Sequence, residues 1–126
     1  MRAAPHAPAA ASQSAVLAKA LLRAAERLGV SAQTLAAIIG LSPATLTRLK
    51  QGAFSLEPGS KPFELAILFV RLFRSLDAIT GGDERIARAW LANPNTALDG
   101  APIEKIRTIS GLIDVIAYLD ARRAVL

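Results

Sequence analysis

The chain has 126 residues, 52% of them hydrophobic but only 5% aromatic; that length and balance fit one compact unit, or two very small ones, built from helices rather than sheets. It has no cysteine, which excludes disulfides and thiolate metal sites, and one histidine, His6, which among prolines and alanines reads as solvated spacer rather than ligand or catalyst. The formal charge of +5 lies wholly in the first half: residues 1–62 carry seven basic side chains against Glu26 and Glu57, whereas residues 63–126 hold eight of each sign. A localised basic excess suits a phosphate backbone as partner, although a merely basic surface is also compatible with it.

Residues 1–14 (MRAAPHAPAAASQS) have no strongly apolar stretch of the kind a secretory signal needs, and read as a disordered leader. A first helix is expected from about Ala15 to Leu28, with Leu17, Leu21, Ala24 and Leu28 on one face and Gly29 as its stop. Ser31 caps a second helix reaching Ile39, and Gly40 ends it. Ser42 followed by Pro43 marks the start of a third, reaching about Gln51 and closed by Gly52. Residues 53–60 form a loop. A long helix is then expected from Pro62 to about Thr80, with Glu64, Arg71, Arg74, Ser75 and Ala78 on one narrow stripe and an otherwise apolar circumference. Such a helix is buried on several sides, as a central strut or as part of a dimer interface. Its apolar run is too short and too charged to span a membrane, which takes about 20 apolar residues, so a soluble cytoplasmic protein is expected.

Gly81-Gly82 ends that helix, and Asp83 starts another through about Ala92; Asp83-Glu84 reads as a helix start rather than a catalytic carboxylate pair. Asn93-Pro94 breaks it, because the residue before proline avoids helical geometry. A turn over Asn95 to Gly100 leads to Pro102 and a short helix with Glu104 in its first turn. Ser110 precedes a last helix to about Arg123. The expected class is therefore all-α, divided into a leader (1–14), a helix-turn-helix half (15–61), a linking or dimerisation helix (62–82) and a small C-terminal helical module (83–126).

Two stretches carry functional information. In Ser31–Gly52, Ala36 and Gly40 lie four apart; the small alanine lets two helices approach and the glycine supports the turn between them. Leu35, Ile39, Leu41, Leu46 and Leu49 supply apolar contacts. This stretch resembles the helix-turn-helix of phage-repressor-like (Xre/Cro-type) regulators, in which the helix after the turn lies in the major groove. The outward positions there are Pro43, Ala44, Thr47 and Arg48, of which Arg48 is the candidate for bidentate reading of guanine and Thr47 for a base or a thymine methyl. Gln33, Thr45 and Lys50 are candidate phosphate contacts, with Ser42 at the helix start. A head so poor in polar groups implies weak binding by one copy, hence a dimer or higher oligomer on paired half-sites.

In Ala89–Glu104 (AWLANPNTALDGAPIE), the sole tryptophan, Trp90, precedes an Asn93-Pro94-Asn95 turn, with Leu98, Gly100 and Pro102 following. Trp90 and Leu98 are expected to pack together, and the asparagines to bond nearby backbone. The pattern resembles the C-terminal module of the MbcA/ParS/Xre antitoxins, and the likeness extends over most of the chain from Leu28. That resemblance implies an antitoxin of a type II toxin–antitoxin system, not an enzyme and without a cofactor. It would represses its own operon through the first half and block a RES-domain toxin, similar in fold to ADP-ribosyltransferases and consuming NAD, through the second. It also implies that the C-terminal end approaches the toxin's active site, which makes Arg122, Arg123 and Leu126 the candidate contacts; the two arginines equally complement the negative end of the last helix. The competing readings are a stand-alone helix-turn-helix regulator whose second half dimerises or binds a ligand, and a helical adaptor without DNA binding.

Overall fold

The computed structural model describes residues 9–124, with side chains from residue 13 onward; His6 and Leu126 lie outside it. The described residues form seven α-helices, α1 (Ala9–Leu28), α2 (Ala32–Ile39), α3 (Pro43–Lys50), α4 (Lys61–Ile79), α5 (Glu84–Ala92), α6 (Pro102–Lys105) and α7 (Ile109–Ala124), with a 3₁₀ turn at Thr96–Leu98. There is no strand among them; Asn95 and Gly100 form an isolated antiparallel bridge. The all-α class follows from alanine and leucine at helical spacing between strong local punctuation.

Most helix ends are fixed by the residues at their boundaries. The side chains of Ser31, Ser42, Ser60 and Asp83 each accept a hydrogen bond from a backbone N–H in the first turn of α2, α3, α4 and α5, satisfying donors that would otherwise be orphaned. Two boundaries differ from expectation. α1 is already helical at Ala9, the first described residue, rather than starting at about Ala15, so residues 9–14 of the expected leader are helical; alanine, which fills positions 9–11, has the highest helix propensity of any residue type. Ser14 is buried and donates to the Leu56 carbonyl, which anchors this extension. α7 begins at Ile109, with the Thr108 hydroxyl accepting from the Gly111 N–H at 3.0 Å, so Thr108 takes the role expected of Ser110.

α4 is the centre of the molecule and packs against α1, α2, α5 and α7. One continuous core joins Leu21 and Leu28 of α1, Leu35 and Ile39 of α2, Leu46 of α3, Phe69, Leu72 and Leu76 of α4, Leu91 of α5 and Leu112, Val115 and Leu119 of α7. Its outward stripe is Glu64, Ile67, Arg71, Arg74 and Ala78. Ser75, expected on that stripe, is fully buried: its hydroxyl donates to Asp120 at 3.1 Å and accepts from Arg123 at 3.2 Å, and this satisfied bonding makes burial of the small polar group tolerable.

The two halves are also clamped at the end of α1. Arg88 of α5 donates to the carbonyls of Arg27 and Glu26 at 2.9 and 3.0 Å, reaching groups that the helix leaves without intrahelical donors. Arg27 pairs with Asp77 and Glu84 at 3.5 and 3.6 Å and lies 5.2 Å over the Phe73 ring. These contacts fix how the first half sits on α4 and α5.

Candidate functional site

The α2–turn–α3 unit is built around Ala36 and Gly40. Ala36 is buried, and its carbonyl accepts from both Gly40 and Leu41. Gly40 has φ 75°, a left-handed conformation that costs a residue with a Cβ about 1–2 kcal/mol. Leu35, Ile39, Leu46 and Leu49 are buried beneath the turn, with Leu41 half-buried. α3 is thereby held with its apolar edge inward and its opposite face in solvent.

That outer face carries Pro43, Ala44, Thr47 and Arg48, all exposed, with Lys50 at its far edge. The Arg48 guanidinium carbon lies 5.7 Å from the centroid of the Phe54 ring, which supports the side chain without consuming its hydrogen-bond donors. Thr47 donates to the Pro43 carbonyl at 3.1 Å. Ser42 caps α3, accepting from the Thr45 N–H at 3.1 Å and donating to the Thr45 hydroxyl at 2.8 Å; Thr45 is half-buried and already engaged. Gln33 is exposed near the start of α2 and shares a hollow with Pro43. Replacing Ser42 by alanine is expected to cost about 1 kcal/mol, read as a small fall in Tm.

Sequence reasoning about the motif alone missed further groups around this face. Gln51 follows Pro43 and Thr47 at four-residue spacing and is exposed. Lys19 and Arg23 of α1 line the same surface hollow as Lys50. Their signal was present in the charge distribution, but nothing in the spacing links α1 to the end of α3. Among the described residues, Lys19, Arg23, Arg48 and Lys50 have no carboxylate within 4.0 Å, whereas Arg27, Arg71 and Arg88 do. Cations without internal partners, gathered around an exposed helix, are what a polyanion needs.

The second half is organised about Trp90 and α7. Trp90 is half-buried and stacks on Tyr118, with ring centroids 6.1 Å apart and planes 21° from parallel. Leu98 is buried in the core, and Pro102, also buried, opens α6. Asn93 closes α5, with its N–H donating to the Ala89 carbonyl, and Pro94 follows it exposed to solvent. The Asn95 side chain accepts from the Ala97 N–H at 2.9 Å, while its backbone pairs with Gly100 at 3.0 and 3.2 Å.

Arg122 donates from Nε to the Tyr118 hydroxyl at 3.1 Å and lies 5.0 Å over that ring. Its guanidinium holds the Tyr118 hydroxyl below the usual phenol value of 10.0; partial burial opposes the shift, and Asn95 adds to it. Arg123 turns instead toward α4, joining Ser75, Asp120 and Arg71 in one network. The two candidate arginines, adjacent in sequence, therefore serve opposite sides of α7. Arg123 also borders an open groove of about 630 Å³ between α1 and α4, floored by Val16, Leu17 and Ile67 and flanked by Arg71 and Arg74. Along the outer side of α7, Ile109 and Ile113 stand in solvent one turn apart, 58% and 46% exposed.

No group of three or more metal-ligating side chains occurs among the described residues, and none of the described helices is long and apolar enough to cross a membrane. The geometry defines a helix-turn-helix DNA-binding protein with a second helical module built onto the same core. Residues 7–71 match the model of the antitoxin Xre-like helix-turn-helix domain, and residues 75–124 match that of the antitoxin Xre/MbcA/ParS C-terminal toxin-binding domain. The chain belongs to the Xre/MbcA/ParS antitoxin family. No individually curated protein matches it significantly. Both matched domains are regulatory rather than enzymatic.

Proposed function

We propose that this antitoxin neutralises a RES-domain toxin that consumes NAD, by direct binding through α7 and its surroundings, and represses its own operon through α3. The observation that carries the toxin-binding reading is the outward apolar row Ile109–Ile113 on the last helix of the matched toxin-binding region. Large aliphatic side chains grouped in solvent favour a protein partner. The same helix ends in Arg122 and Arg123, which supply guanidinium groups for a site adapted to a pyrophosphate-containing substrate or for its acidic residues.

On the DNA side, the unpartnered cations around α3 support phosphate binding, and the sparse polar chemistry of Pro43, Ala44 and Thr47 supports action as a dimer or higher oligomer on paired half-sites. Sedimentation at micromolar concentration tests this last point: association is expected, and a pure monomer contradicts it. The toxin reading is tested by measuring cellular NAD when the product of the adjacent gene is expressed alone and with this chain. NAD should collapse in the first case and recover in the second. An unchanged NAD pool in cells that nevertheless stop growing would keep the antitoxin and remove the RES assignment.

A further inference from the structure

Arg107 belongs to the matched toxin-binding region, in the corner between α6 and α7, yet it lies on the first half of the molecule. Its Nη2 donates to the Thr34 hydroxyl of α2 at 3.3 Å, across 73 positions of sequence. Its Nε stands 3.6 Å from the Glu104 carboxylate one turn earlier. The hollow it borders, of about 410 Å³, is also walled by Gln33, Thr34, Leu41 and Pro43, so its rim includes the start of α3. The Arg107 side chain remains 44% exposed. A guanidinium has five N–H donors, and these two contacts engage only some of them.

We infer that Arg107 is a DNA phosphate contact supplied by the toxin-binding module, so that the second half of the chain takes part in gripping the duplex. This rests on the proposal that α3 occupies the major groove. In that docking the helix preceding the recognition helix crosses the sugar–phosphate backbone. A cation lying against α2 and facing the same hollow as Gln33 and Pro43 then stands beside a phosphate. Glu104, 68% exposed beside the same corner, is the one acidic group within 4.0 Å of Arg107 among the described residues; the hydrogen bond to Thr34 holds the guanidinium toward α2.

The test uses the full chain with two duplexes, one from the promoter of its own gene and one of random sequence, titrated over a range of salt concentrations. Arg107→Gln should weaken binding to both duplexes by a similar factor and reduce the slope of log K against log salt by about 0.9, the value for one phosphate contact. Arg107→Lys should retain the slope. An unchanged slope in Arg107→Gln overturns the inference. So does an equal loss in Arg107→Lys, which would make the arginine a structural strut on Thr34. Arg48→Ala serves as reference: if it too leaves DNA binding intact, the failure belongs to the placement of α3 rather than to Arg107 alone.

Discussion

Gly111→Ala is expected to destabilise the protein by about 3 kcal/mol, lowering Tm by roughly 10 °C or more. Gly111 is buried in the first turn of α7, where alanine ordinarily adds about 1 kcal/mol over glycine. Here the sign reverses. A Cβ at this position would stand 1.9 Å from the Lys105 carbonyl oxygen, 2.8 Å from its carbon and 2.9 Å from the Thr108 hydroxyl. The nearest obstacle is backbone, held in place by the short helix α6, and no side-chain rotation relieves it. The corner must open, which disturbs Ile106 and Leu112, both fully buried. Thermal denaturation followed by circular dichroism measures the effect. A variant as stable as the parent would mean that α6 and α7 do not meet as described.

The second large effect is on DNA. Arg48→Ala should reduce affinity for the operator by about 10- to 100-fold for each half-site, the range for one bidentate arginine–guanine pair, while changing binding to random duplex much less. Arg48 is exposed, lacks an acidic partner among the described residues and rests on Phe54. Leaving that ring costs about 0.5–1 kcal/mol at an exposed site, less than the pairing returns. Toxin binding should be unaffected, since Arg48 rests on Phe54 and lies outside the matched toxin-binding region, residues 75–124. Equal losses on operator and random duplex would assign Arg48 to a phosphate. A fall in Tm with DNA binding intact would make it a packing group on Phe54.

The helix-turn-helix was legible in the sequence because its determinants are local. Ser31, Gly40, Ser42 and Pro43 act within one helical turn of themselves, and Ala36 and Leu46 follow helical spacing. The caps of the second half were legible for the same reason at Asp83 and Pro102. What escaped was long-range or steric. The Ser75–Asp120–Arg123 network joins residues more than forty positions apart, so Ser75 read as surface when it is core. Trp90 finds Tyr118 on α7, a pairing that no pattern around the Asn93-Pro94-Asn95 turn encodes. Gly111 was invisible because its constraint is the carbonyl of Lys105 in the preceding helix, and the role of Arg107 depends on the half of the chain it touches. α1 extended into the expected leader because propensity favoured it and Ser14 found an acceptor on Leu56.

The division of labour between the halves is therefore less complete than the charge distribution suggests. All the excess positive charge lies before residue 63, yet Arg88 and Arg107 of the neutral second half reach back to α1 and α2. A single core runs through α4 and joins α7 to α3, so a partner seated on α7, as proposed, would act on a body continuous with the proposed DNA-reading helix.

On the function proposed above, one chain holds a toxin with its second half and DNA with its first. The most direct test is affinity purification of the full chain co-expressed with the product of the adjacent gene. A stable complex is expected, formed equally by the Arg48→Ala variant, with a gene product that arrests growth when expressed alone. Recovery of the chain without that product, or a product harmless by itself, would contradict it.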